Sequence, residues 1–245
     1  MKILFIDIER TPNIAYVWGL FKENIPLARL VDTSKILCYA AKWYGDDEII
    51  FDSTYNTKER KFLSKLHKLI DEADVVVHYN GTDFDMPVIN TALVEAGFQP
   101  PSPYKQIDLL KTVRTNFKFT SNKMDHVCKQ LGLGEKFDTT FDLWVGCMNN
   151  NASAWKEMEA YNIQDVLLLE GMYEILKPWI KNHPNHGLYN DDGLVCPNCG
   201  DNHYEKRGFA YTGTGKYQRY NCLSCGSWFR DKRVIERGKE SFRTA

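Results

Sequence analysis

Apolar positions along the first half of the chain change period several times, and each change marks an element. Residues 2–6 (KILFI) form a short apolar run ending in Asp7, and 36–44 (ILCYAAKWY) and 48–53 (EIIFDS) make two more strand-like runs parted by the turn-like GDD. Three strands in succession predict an antiparallel meander. From 57 to 73 the period lengthens to that of a helix, with Phe62, Leu63, Leu66, Leu69 and Ile70 on one face. The β-branched run Val75–Val77 reads as a buried strand. FDMPVINTALVEAGF reads as a helix with Pro87 in its first turn, where a missing N–H costs nothing, and Gly97 as its stop. Strand, helix, strand and helix in this order indicate an α/β layered fold.

After the PPSP loop, IDLLKTVRTNF and NKMDHVCKQLGLG read as short helices, the second closed by Gly132. Ser153 can cap a long helix that continues to Pro178. The stretch 181–193 is rich in Pro, Gly, Asn and Asp and reads as a linker, which divides the chain into a domain at 1–182, a linker at 183–193 and a small module with a basic tail at 194–245. No internal repeat interrupts this organisation.

Composition adds that the 245 residues, 43% hydrophobic, can fill a sizeable core. No stretch approaches the roughly 18 uncharged apolar residues of a membrane span, and MKILFIDIER is too soon charged for a signal peptide, so no membrane partner and a cytoplasmic location are expected. Four of the seven cysteines fall in two CxxC pairs, Cys196/Cys199 and Cys222/Cys225. Cys38, Cys128 and Cys147 lie apart in apolar segments, as buried free thiols do. The net charge of −1 hides an asymmetry. From Leu194 onward 10 Lys and Arg face 5 Asp and Glu, whereas the remainder carries 21 against 27. The acidic part is also the part that holds the candidate cation site.

That site has three elements. Asp7 and Glu9 stand two apart at a strand end, on one face, and such a pair can share a hard cation, although solvated strand-end acids are common. Asp85, in HYNGTDFDMPVI, opens a helix directly after a buried strand, where a carboxylate can also serve as a cap. In YNIQD, Tyr161 and Asp165 lie four apart on one helical face beside apolar neighbours, and an acid on that side is costly to bury unless it is paired or metal-bound.

FIDIE, YNGTDFDMP and YNIQD, in this order, resemble the three motifs of the exonuclease domain of family B DNA polymerases, in the DEDDy branch of the DnaQ-like, ribonuclease H-like superfamily. The resemblance covers about residues 1–180 and includes DLLKTVR and MDHVCKQLGLGEK. It implies a ribonuclease H-like mixed sheet flanked by helices. It also implies two Mg²⁺ or Mn²⁺ ions held by Asp7, Glu9, Asp85 and Asp165, with Asp7 bridging them. Tyr161 would position the attacking water, and Asn80 and Phe84 would hold the terminal nucleotide. Cleavage from a 3′ end to nucleoside 5′-monophosphates follows from the resemblance alone. Too little sequence follows the third motif for a polymerase domain, so the expectation is an enzyme acting by itself or beside a separate polymerase or replication protein.

CPNC and CLSC, 22 residues apart, resemble a zinc ribbon, and four thiolates in such knuckles select tetrahedral Zn²⁺. Tyr204, Lys206, Arg207, Tyr211, Lys216, Tyr217, Arg219, Tyr220, Trp228, Phe229, Arg230, Lys232 and Arg233 interleave bases with aromatics. These suit phosphates and unstacked bases, but can equally be a tiny core with a solvated rim, or a docking surface for a protein. His78 reads as a strand residue, and His183, His186 and His203 as structural or surface residues. DNA is the expected substrate; an RNA-directed or structure-selective nuclease, and a non-enzymatic adaptor acting through the ribbon, are the competing readings.

Overall fold

The computed structural model describes residues 1–189 and 194–237. Strand β1 (Ile3–Arg10) outruns the apolar run that announces it, because Ile8 continues the two-residue alternation and carries Asp7 and Glu9 inside the strand. A small hairpin, β2 (Ile14–Ala15) with β3 (Leu30–Asp32), follows. Next, β4 (Ile36–Trp43) and β5 (Ile49–Ser53) complete the expected antiparallel meander with β1. After α1 (Glu59–Glu72), β6 (Val75–His78) pairs parallel to the other edge of β1. After α2 (Asp85–Glu95), β7 (Lys105–Asp108) pairs parallel to β6. The mixed sheet has the order β5-β4-β1-β6-β7.

β7 corrects the sequence reading. Ile107 and Asp108 were expected to open a helix, but they end a four-residue strand whose only fully buried apolar side chain is Ile107, too short an alternation to be read. Helix α3 (Leu109–Asn116) starts one residue later, capped by the Asp108 carboxylate. The expected short helix over NKMDHVCKQLGLG is α4 (Met124–Gln130). A further helix, α5 (Asp142–Met148), was not expected, since only Leu143 and Cys147 of it are buried. The long helix is α6 (Ala152–Leu176). Its first turn is held by Asn151, whose side chain accepts from the N–H groups of Ser153 and Ala154, so Asn151 rather than Ser153 is the cap.

The alternation along β1 assigns its two faces. Leu4, Ile6 and Ile8 pack with Phe62, Leu66 and Ile70 of α1 and Met86, Ile89 and Leu93 of α2. Side chains of this kind contribute roughly 1.5–3 kcal/mol each when buried. On the other side of the sheet, Leu37 and Cys38 pack with Leu143 and Cys147 of α5 and with Trp155 and Met158 of α6. Asp7 and Glu9, out of phase with Leu4, Ile6 and Ile8, are thereby turned away from the α1/α2 core.

Lys2–Met172 form one compact unit, and Tyr173–Ala245 with Met1 a second, so the division falls within α6. Of the expected linker, residues 190–193 lie outside the described residues, as do 238–245 of the expected basic tail. The second unit contains a three-stranded antiparallel sheet, β8 (Tyr204–Thr212), β9 (Gly215–Cys222) and β10 (Trp228–Glu236), with β9 central. Among the described residues no helix is long and apolar enough to cross a membrane.

Candidate active site and metal centres

Strands β1, β6 and β7 are parallel, and ligands of open α/β sheets bind beyond the carboxyl ends of such strands. Here the pairing of β1 with β6 stops at Phe5↔Val77, leaving the end of β1 clear of that neighbour. The Ile8 N–H is taken by Asp85 Oδ1 at 3.2 Å, which draws the first turn of α2 towards β1. From α6, Asp165 comes close enough that one carboxylate oxygen each of Asp7, Glu9 and Asp165 lie within 4.8 Å of one another. Asp85 stands outside this trio, tied to the Ile8 amide, yet its charge is felt at Asp7.

Gathering carboxylates in a buried place raises their proton affinity. Burial, then the charges of Asp165, Asp85 and Glu9, hold Asp7 well above the usual carboxylate range. Burial and Asp165 push Glu9 up to about 7. Asp85 rises to about 6 through burial, against the pull of the Ile8 amide. Burial also raises Asp165, opposed by Lys136 and the Tyr161 hydroxyl. The donor set fits a hard divalent cation. Every ligand atom is an oxygen, and Asp165 Oδ1 is buried with no hydrogen-bond partner among the described residues, as an atom reserved for a metal would be.

Four residues that the sequence did not single out complete the site. Lys136, from the loop between α4 and α5, pairs with Asp165 Oδ2 and lies 5.4 Å over the Tyr161 ring. Burial works against its charge, but Asp165 and Asp7 outweigh this and raise its pKa. Asn162 is fully buried and gives its amide to Asp7 Oδ2 at 2.7 Å. Trp144 of α5 donates to Glu9 Oε2 at 3.3 Å and meets Tyr161 edge to face. Asp108 ends β7 and accepts the Asn80 N–H at 3.0 Å. Asp108 opens DLLKTVR, Lys136 ends MDHVCKQLGLGEK and Asn162 lies inside YNIQD, so the resemblance enclosed these three without giving them a role, whereas Trp144 lies in none of its segments.

Asn80 and Phe84 sit in the turn between β6 and α2. Asn80 takes a left-handed φ of +67°, held by Asp108. Phe84 is half-buried, with the Arg10 guanidinium 4.6 Å over its ring. His78 is the strand residue expected. Its Nδ1 accepts from Gly81 N–H at 3.1 Å while Nε2 meets Gln106 at 3.1 Å, and burial lowers its pKa, so the ring is neutral. A Cβ at Gly81 would stand 2.4 Å from the His78 ring, which is why a glycine occupies this turn.

The second centre is the cysteine cluster. Sγ of Cys196 lies 3.7 Å from that of Cys225, and Cys199 Sγ lies 3.6 Å from Cys222 Sγ. Thiolates about 2.3 Å from a tetrahedral ion stand about 3.8 Å apart, whereas disulfide sulfurs stand about 2 Å apart. The two knuckles are copies of one turn. Gly200 N–H donates to Cys196 O and Gly226 N–H to Cys222 O, both glycines at φ +77°. Backbone N–H groups of Asn198 and Cys199 face Cys196, and those of Ser224 and Cys225 face Cys222.

A family model described as RNase_H superfamily matches residues 4–177, which include every carboxylate of the site. No curated protein matches the chain. Among solved structures, the family B DNA polymerase from the hyperthermophilic archaeon Pyrobaculum calidifontis is similar at 17% identity with a TM-score of 0.50. That match takes in 72% of this chain and 24% of the polymerase, so the chain spans about a quarter of its length. The likeness bears out, at the level of the fold, the kinship that the three motifs suggested. With its mixed sheet, its oxygen-lined site of nuclease type and more than half of its length matched, the chain belongs to the RNase_H superfamily.

Proposed function

We propose that this protein is a two-metal-ion 3′-to-5′ exonuclease that removes nucleoside 5′-monophosphates from single-stranded DNA ends. The observation that carries the reading is the meeting of Asp7, Glu9 and Asp165 oxygens within 4.8 Å, with Asp85 charged alongside them. Asp7, Glu9, Asp85 and Asp165 are the residues to hold Mg²⁺ or Mn²⁺. Bound there, such ions supply an activated water and stabilise the charge that develops on the phosphodiester.

The chain's own groups then have distinct tasks. Asn162 fixes Asp7 by one oxygen, and Trp144 does the same for Glu9. Tyr161, whose pKa burial and Asp165 raise, keeps its proton and orients water through its hydroxyl rather than acting as a base. Lys136 partly balances the acids and braces the Tyr161 ring. Asn80 and Phe84, set by Asp108 and Arg10, hold the terminal nucleotide. In the second unit, the four cysteines hold one structural Zn²⁺. The similarity to a DNA polymerase supports DNA over RNA as substrate.

The test incubates 5′-labelled and 3′-labelled single-stranded DNA and RNA with Mg²⁺ or Mn²⁺. The expected result is a descending ladder from the 5′ label and immediate release of labelled mononucleotide from the 3′ label. Both should vanish in Asp7→Ala, in Asp165→Ala and in EDTA. Activity that survives Asp165→Ala overturns the metal assignment, and faster cutting of RNA overturns the choice of DNA.

A further inference from the structure

The three-stranded sheet of the second unit resolves its aromatic and basic residues into two unlike faces. In antiparallel pairs, residues directly opposite share a face. Phe229↔Tyr220 and Tyr204↔Cys222 define one face, on which Tyr204, Tyr220 and Phe229 pack with ring centroids 5.4–5.5 Å apart. These three form the module's own small core. Trp228↔Asn221 and Arg230↔Arg219 define the other face, which also carries Tyr217, the partner of Ala210 and Val234.

That second face is built against its own stability. Arg219 and Arg230 stand directly opposite each other, and like charges so placed are destabilising. Among the described residues no carboxylate pairs with either. Glu205, on the same face, is engaged by Arg207, while Arg219 and Arg230 donate only to the backbone oxygens of Arg207 and Asp231. Both guanidinium groups instead lie on rings, Arg219 5.0 Å from Trp228 and Arg230 3.9 Å from Tyr217. The ladder thus runs aromatic, cation, cation, aromatic, with Trp228 55% exposed.

We infer that this face binds single-stranded nucleic acid, with Arg219 and Arg230 on the phosphates and Trp228 and Tyr217 offered to unstacked bases. Stacking leaves the N–H edges of a guanidinium free for an anion, and an anion between two opposed arginines relieves their repulsion. The flanking rings ask for planar groups that a strand exposes and a duplex keeps stacked. An acidic peptide would satisfy the arginines but leave the rings unused. The inference rests on the nuclease reading for its choice of ligand, and on the sheet geometry for everything else.

Binding separates the two. Anisotropy of a labelled oligothymidylate is followed on the full chain carrying Asp7→Ala, so that nothing is cut, over a series of NaCl concentrations. Arg219→Ala with Arg230→Ala should weaken binding at least tenfold. The slope of log affinity against log salt should become shallower by about 1.4, at about 0.7 per phosphate for single strands. Arg219→Lys with Arg230→Lys should keep the slope but not the affinity, because an ammonium lacks the planar stack. Trp228→Ala should cost about tenfold with the slope unchanged. Affinity and slope unchanged in the alanine pair, with its metal content intact, overturn the proposal; so does equal binding of a duplex or of polyglutamate by the chain with its arginines. If the alanine pair loses its metal, the lysine pair decides, and affinity there equal to that of the unsubstituted arginines overturns it. A chain that binds through this face but cuts no substrate supports the proposal while overturning the nuclease reading.

Discussion

The two units use their clustered ligands in opposite ways. In Lys2–Met172 a core on both faces of the sheet exists without the carboxylates, and the acids are forced together at one end of it. Between Leu194 and Arg237 the fully buried residues are Cys196, Cys222 and Ser227, so there the ligands are themselves much of the core. On the proposed reading a cation in the first unit would be a reagent that the fold can do without, and one in the second would be what the fold is wrapped around. The like charges in each unit differ in the same sense, since those of the acid site face one another in a buried place and those of the ribbon sheet lie on its surface.

The strongest way to break this contrast is to remove one ligand from each centre. Cys222→Ser should abolish structure in the second unit, with its strand amides exchanging as in an unfolded chain, while amides of β1, β4 and β6 stay protected. Asp165→Asn should do the reverse: DNA hydrolysis falls below detection and the metal-free protein melts at a higher temperature. Hydrogen exchange without chelator reads the first, and thermal melting in Mg²⁺-free buffer, with the cysteine site left loaded, reads the second. Global unfolding in Cys222→Ser would show that the first unit is not self-sufficient.

A pH series sharpens the same point. Glu9 is raised from 4.5 to about 7 and Asp85 from 3.8 to about 6, so the folded, metal-free site holds protons that the unfolded chain has already released. The protonated acids favour the fold below the ordinary carboxylate range, and that advantage is lost as the pH rises through about 7. The metal-free protein should therefore melt several degrees lower at pH 8 than at pH 5. Saturating Mg²⁺ should remove most of the difference, because the cation takes over from the protons. A melting temperature that rises with pH in the metal-free protein would contradict the electrostatics of the site.

What the sequence could disclose of each unit follows the range of the interactions involved. The cysteine centre was fully legible, because each knuckle is a local turn whose ligands lie three residues apart. Asp7 with Glu9, and Tyr161 with Asp165, were legible for the same reason, through strand and helix periods. Lys136 and Trp144 were not, since each meets its carboxylate only through tertiary packing, 29 and 135 residues away in the chain. The β7 strand was lost because four residues with one buried apolar side chain carry no period. Its last residue, Asp108, then looked like part of a helix instead of the brace for Asn80.

Residues that brace a ligand should have effects of middle size, and within the first unit they distinguish the metal side of the acid site from its substrate side. Asn162→Ala removes the amide at Asp7 Oδ2 and leaves that carboxylate free to turn. Such supporting contacts are worth about 10–100-fold in metal affinity or activity. The loss should appear mainly in the apparent affinity for Mg²⁺, and excess Mg²⁺ should recover part of it. Gly81→Ala acts at longer range. The new methyl group meets the His78 ring, so the turn bearing Asn80 and Phe84 must shift. Its expected signature is a higher KM for the oligonucleotide with little change in Mg²⁺ dependence. The opposite pattern would move Asn80 and Phe84 from the substrate to the metal side of the site.

The smallest effect tests the cap of α6, the helix in which the two units divide. Asn151 satisfies two N–H groups of its first turn, and an alanine there should cost about 1 kcal/mol. Ser153→Ala should cost almost nothing, because its side chain is not the cap. Asp165 lies more than three turns further along the same helix and is held independently by Lys136, so hydrolysis should be unchanged in both variants. If Asn151→Ala slows cutting as much as Asn162→Ala does, the position of Asp165 is set by the helix start. The contrast between a self-sufficient scaffold and the acids clustered at its end would then have to be redrawn to include α6 as a moving part.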